Sequence, residues 1–143
     1  MSSYHGQCLC GAVQFTIEAP TLFCAHCHCR YCRGAHGAAF VTWVGAAEDR
    51  FAFSSGEDAM TWYDSSEQSR RGFCSTCGTT LFYASSLSPG EVHVVLAAID
   101  DPIDREPQAH VFHDHRVPWF RCTDGLPKID SDSPKLEKYR EIS

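Results

Sequence analysis

The chain has 143 residues, 43% hydrophobic and 21% charged, with a net charge of −6. That is ordinary usage for one globular domain and excludes a disordered or collagen-like chain. Twelve Lys and Arg against 18 Asp and Glu argue against a nucleic-acid partner, which would need a basic face to displace counterions. No apolar run approaches the roughly 18 residues that cross a bilayer, so no membrane partner is expected. The polar start, Met1 to Gly11, has no apolar signal region, which makes the cytoplasm the expected compartment.

In chain order, Val13, Phe15 and Ile17 alternate with Gln14, Thr16 and Glu18, a period of two that predicts a half-buried strand ending at Pro20. Arg30 to Arg33 predicts one helical turn stopped near Gly34. Ala39 to Val44 predicts a second strand. Phe51–Phe53 and Thr61–Tyr63 read as short strands either side of a turn at Ser55-Gly56. Thr79–Tyr83 is a further strand, and Val92–Ile99 is the most apolar, set off by the turn Ser88-Pro89-Gly90. Ala109–Phe112 is the last strand. After Pro134, Leu136 and Tyr139 fit a short helix or a frayed end. The fold class expected is all-β, with mostly antiparallel sheets and few short helical turns. Residues 1–130 are expected to form one domain and 131–143 a polar tail.

Nine cysteines stand beside eight histidines. An odd number cannot all pair as disulfides, and short fixed spacings in a cytosolic chain favour metal ligation. Cys74-Ser75-Thr76-Cys77-Gly78 is a C-x-x-C-G knuckle. Two such thiolates face one tetrahedral ion but supply only half its ligands. Cys8-Leu9-Cys10-Gly11 is a fitting second half. Four thiolates leave no open position, so that site would be structural. Cys27, Cys29 and Cys32 remain as a C-x-C-x-x-C array, which would leave one position on the ion open, as in catalytic zinc. Cys24 would close that site if it joined as a fourth ligand, and could also pair with Cys27 in redox chemistry. His26 and His28, alternating with the thiols, are expected to point away from the ion. His113 and His115 would share a strand face opposite His110. His93 is expected to be a hydrogen-bonded core residue, Cys122 a small core residue and Trp119 a core plug.

Together these residues resemble the glutathione-dependent formaldehyde-activating enzyme family. The resemblance rests on Cys8-Leu9-Cys10-Gly11, on Cys27-His28-Cys29-Arg30-Tyr31-Cys32, on Cys74 to Gly78, and on His110-Val111-Phe112 through Pro118-Trp119. It implies an Mss4-like β fold stabilised by zinc, with about two zincs per chain. The structural zinc would sit on Cys8, Cys10, Cys74 and Cys77, and the catalytic zinc on Cys27, Cys29 and Cys32. It implies carbon–sulfur lyase or synthase chemistry on a thiol–aldehyde adduct such as S-hydroxymethylglutathione, with a small glutathione-like thiol as partner. Arg30 and Arg33, beside the loop, could receive a carboxylate of that thiol. The rival class is a non-enzymatic zinc-binding module for a protein partner.

Overall fold

A computed structural model describes residues 2–141. Eleven strands and one α-helix follow in order: β1 (Ser3–Gln7), β2 (Gln14–Glu18), β3 (Phe23–Cys27), α1 (Arg30–His36), β4 (Val41–Ala47), β5 (Phe51–Ser55), β6 (Met60–Asp64), β7 (Ser69–Cys74), β8 (Thr80–Ser85), β9 (Glu91–Val95), β10 (His110–Val111) and β11 (Lys128–Ile129). They form a three-stranded sheet, β1-β2-β5, and an eight-stranded sheet, β11-β10-β3-β4-β9-β8-β7-β6. The fold is therefore mainly β, as the alternating sequence implies. Pairing is antiparallel except where β10 runs parallel to β3 and to β11. No helix among the described residues is long and apolar enough to cross a membrane.

The alternation in β2 does what a period of two requires: Phe15 and Ile17 turn inward and are fully buried. They meet Phe82 and Val94 in one core cluster. There Phe82 sits 5.2 Å from the rings of both Phe15 and Phe51, edge-on to each, the arrangement aromatic quadrupoles favour. The next residue of β8, Tyr83, points the other way into a second cluster with Cys27, Cys32, Val41, Trp43, Phe112 and Leu136. This second cluster carries the chemistry.

Some expectations shift. Phe51–Phe53 and Thr61–Tyr63 are strands, but they do not pair with each other. β5 pairs β2 and β6 pairs β7, because the 3-10 turn Glu57–Ala59 redirects the chain between sheets. Val92–Ile99 divides into β9 and a 3-10 turn, Leu96–Ala98. The helix runs past Gly34 and stops at Gly37, whose φ of 61° is the left-handed conformation that ends helices cheaply. Trp119 is not a core plug: it is 72% exposed. Val117 takes the inward position instead, and the turn at Pro118-Trp119 faces out. At the C-terminal end, Pro134–Tyr139 forms a 3-10 helix capped by the Ser133 hydroxyl, with Leu136 buried. Its Lys138 and Tyr139 bond Glu91 on β9, which fixes it to the sheet.

Candidate metal centre

Two thiol clusters lie on different parts of the sheets. The sulfurs of Cys8, Cys10, Cys74 and Cys77 all lie within 4.8 Å of one another. Cys8 and Cys10 follow β1, while Cys74 ends β7. Each pair sits on a tight turn closed by a glycine at φ near 80°, Gly11 and Gly78. That conformation costs a side-chain-bearing residue about 1 kcal/mol, which is why glycine follows each second cysteine. The turns aim amides and hydroxyls at sulfur: the Val13 amide donates to Cys8 Sγ at 3.3 Å, and the Thr79 hydroxyl lies 3.1 Å from Cys77 Sγ. Thr79 thereby pulls the Cys77 thiol down to about 5, and the Cys77 amide lowers Cys74. Four thiolates this close repel one another, so a cation is what lets all four ionise. The donor set fits a soft, tetrahedral metal.

The second cluster is Cys27, Cys29 and Cys32, again with all sulfurs within 4.8 Å. Local structure explains the spacing. Cys27 ends β3, Cys29 is the N-cap of α1 and accepts from the Cys32 amide at 3.3 Å, and Cys32 is one turn in. Cys32 Sγ lies 3.6 Å from Cys27 Sγ and accepts from the Trp43 indole at 3.3 Å. The Arg71 guanidinium reaches the same sulfur at 3.6 and 3.7 Å. The neighbouring Cys27 and Cys29 thiols, with Arg71 and Trp43, hold Cys32 well below the ordinary thiol range against the pull of burial. Arg71 is itself buried and paired with Glu141 at 3.2 Å, and lies 4.9 Å over the Tyr83 ring. Burial opposes its charge, and Cys32 and Glu141 outweigh that, so it stays protonated.

Cys24 does not join this cluster. It lies three residues before Cys27 on an extended strand, so the two side chains face opposite sides. Burial pushes its thiol up to about 11. The three cysteines line a cleft of about 1600 Å³, whose wall also includes Cys24, Arg30, Tyr83 and His115. His26 and His28 turn away, His26 to the Thr42 hydroxyl at 2.8 Å and His28 to His110 at 2.9 Å. His93 is buried against Glu91 at 3.0 Å. His113 and His115 lie on a 3-10 turn rather than a strand. Cys122 is half-buried beside His28 instead of in the apolar core. Sequence reasoning missed the roles of Arg71 and Trp43. They sit 39 and 11 residues from Cys32, and only strand pairing brings them to it.

The sequence profile of the glutathione-dependent formaldehyde-activating enzyme family matches residues 3–115. The chain belongs to that family. Among its relatives, an uncharacterized lyase of Schizosaccharomyces pombe is 37% identical over 86 residues, spanning 59% of each protein. A Halomonas elongata protein, provisionally named glutathione-dependent formaldehyde-activating enzyme, is 28% identical over 142 residues, 85% of this chain and 87% of its own. The fold is similar to a crystal structure of a Rhodobacter sphaeroides protein, with TM-score 0.57 and 25% identity, over 71% of this chain and 92% of that one. Both thiol clusters lie within the segment that the family profile covers, whereas Cys122 and Asp124 lie beyond it.

Proposed function

We propose that the protein is a zinc-dependent carbon–sulfur lyase that forms or splits the adduct of a small thiol and an aldehyde, S-hydroxymethylglutathione from glutathione and formaldehyde being the first candidate. It would hold about two zincs per chain, a structural one on Cys8, Cys10, Cys74 and Cys77 and a reactive one on Cys27, Cys29 and Cys32. Residues 1–130 would be the working domain, acting in the cytoplasm. The observation that carries this reading is that, among the described residues, the sulfurs of Cys27, Cys29 and Cys32 gather without a fourth protein thiol, and that these three residues line a large cleft.

Cys27, Cys29 and Cys32 would hold the zinc, which would supply the lowering of a thiol pKa that favours thiolate at neutral pH. The chain's own residues do the rest. Three ligand thiolates would outweigh a divalent ion by one negative charge, and Arg71, 3.6 Å from Cys32 and shared with Glu141 at 3.2 Å, would offset part of it without taking a ligand position. Trp43 holds Cys32 in its rotamer and keeps water from that side. In the addition direction, sulfur forms a bond to the aldehyde carbon, the carbonyl electron pair moves to oxygen, and that oxygen takes the proton the thiol released. His115 and solvent border the cleft and can carry that proton, whereas His26 and His28 do not line it. Arg30, Lys135 and Arg140 at the cleft suit a thiol bearing carboxylates.

The test is the rate of thiol loss when glutathione and formaldehyde are mixed, with and without protein, beside the Cys29→Ser variant. A protein-dependent acceleration that Cys29→Ser lacks supports the reading. Equal rates in buffer, wild type and variant would overturn it.

A further inference from the structure

The same C-x-C spacing that turns Cys27 and Cys29 toward the cleft turns His28 the other way, into a second group of donors. His28 is 1% exposed and His110 is 2% exposed. His28 Nε2 lies 2.9 Å from His110 Nδ1 and 3.8 Å from Cys122 Sγ. All three donor atoms lie within 4.8 Å of one another. On its far side, His110 Nε2 meets the Asp124 carboxylate at 2.9 and 3.1 Å, and the Leu126 amide holds Asp124 in place at 3.1 Å. A carboxylate there accepts a hydrogen bond from the Nε2–H, so His110 Nδ1 presents a lone pair to His28 and Cys122. Carboxylate–imidazole pairing of this kind orients metal-ligating histidines.

We propose that His28, His110 and Cys122 form a third metal site, for a divalent ion of the zinc class, with Asp124 orienting His110. Zinc–nitrogen and zinc–sulfur bonds of tetrahedral geometry put ligand nitrogens about 3.3 Å apart and nitrogen about 3.6 Å from sulfur. The observed 2.9 and 3.8 Å need shifts of a few tenths of an ångström. Two imidazoles and one thiolate suit zinc better than magnesium or calcium, which want oxygen. The rings of Phe40 and Phe120 cover the site: Phe40 lies 5.1 Å from His28, and Phe120 lies 5.6 Å from Phe40. That apolar cover strengthens each charge interaction inside it. The ligands come from three separate segments, so the ion would pin the irregular chain around Cys122 to the end of β3.

Zinc per chain, measured after dialysis of wild type and Cys122→Ala against the same excess zinc, tests this. The variant is expected to carry one ion fewer. Equal zinc in the two proteins would overturn the site and leave a hydrogen-bonded histidine pair. Should Cys122→Ala fail to fold, cobalt titration of the wild-type chain decides, because uptake of a third equivalent supports the site and saturation at two overturns it. The Cys29→Ser variant separates this proposal from the functional one. A loss confined to Cys122→Ala leaves the third site standing without the reactive zinc, and a loss confined to Cys29→Ser does the reverse.

Discussion

The two thiol clusters hold sulfurs at similar separations and differ in what surrounds them. Cys8, Cys10, Cys74 and Cys77 come from two turns far apart in sequence, and the support for their sulfurs includes the Val13 amide and the Thr79 hydroxyl of those turns. Cys27, Cys29 and Cys32 come from six consecutive residues, and the support for their sulfurs includes the side chains of Trp43 and Arg71 at Cys32. A cluster of four sulfurs joining distant turns is suited to hold a fold together. A cluster of three, backed by a cation and open to a cleft, is suited to hold a ligand. The same residue type serves both ends because the number of protein ligands, not their identity, decides whether a position stays free.

The comparison can be broken most severely at the first cluster. Cys74→Ser is expected to leave the chain unfolded or insoluble, because a structural zinc contributes on the order of 10 kcal/mol, as much as a whole domain's stability. A soluble variant with wild-type melting would contradict this. At the second cluster, Arg71→Leu strands the buried Glu141 carboxylate and is expected to cost about 3–5 kcal/mol in denaturant unfolding. Arg71→Lys should recover much of that, and equal stability of all three proteins would show that Arg71 is not the countercharge. Cys29→Ser is expected to keep the fold, lose one zinc and lower the thiol–aldehyde rate about 100-fold. Full zinc content would undo the assignment.

The smallest effect lies on β9, where Glu91 holds Lys138 at 2.9 Å. Burial raises the Glu91 carboxyl, but His93 and Lys138 outweigh it and bring it down to about 2. A carboxyl depressed in the folded state stabilises above its ordinary value of 4.5 and loses that contribution as pH falls toward 2. Glu91→Gln should therefore melt about 3 °C below wild type at neutral pH, with the gap closing between pH 4.5 and 2. A gap independent of pH would place the stabilisation elsewhere.

The strands with clean alternation were legible from sequence, β2 above all, because a half-buried strand writes its faces into every second residue. β3 and β7 were not. Their residues, Phe23–Cys27 and Ser69–Cys74, are cysteine-, histidine- and arginine-bearing, buried for the sake of the clusters rather than for an apolar face. The cysteine groupings themselves were legible because ligand spacing is local. Cys24 was ambiguous only while its secondary structure was unknown; an extended backbone sends it to the opposite face from Cys27. Arg71, Trp43 and Asp124 were not legible, since each meets its partner through strand pairing or loop placement across many residues. Trp119 misled because size and apolarity favour burial on average, while the turn at Pro118 sets the actual direction.

The central claim is that Cys27, Cys29 and Cys32 leave one metal position free for a substrate thiol. The most direct measurement is the sulfur-to-cobalt charge-transfer absorption of the cobalt-substituted protein, followed as glutathione is added to wild type and to Cys29→Ser. A band that intensifies and saturates in wild type, and does not change in Cys29→Ser, is the expected result. A wild-type spectrum that stays constant at millimolar glutathione would contradict the account.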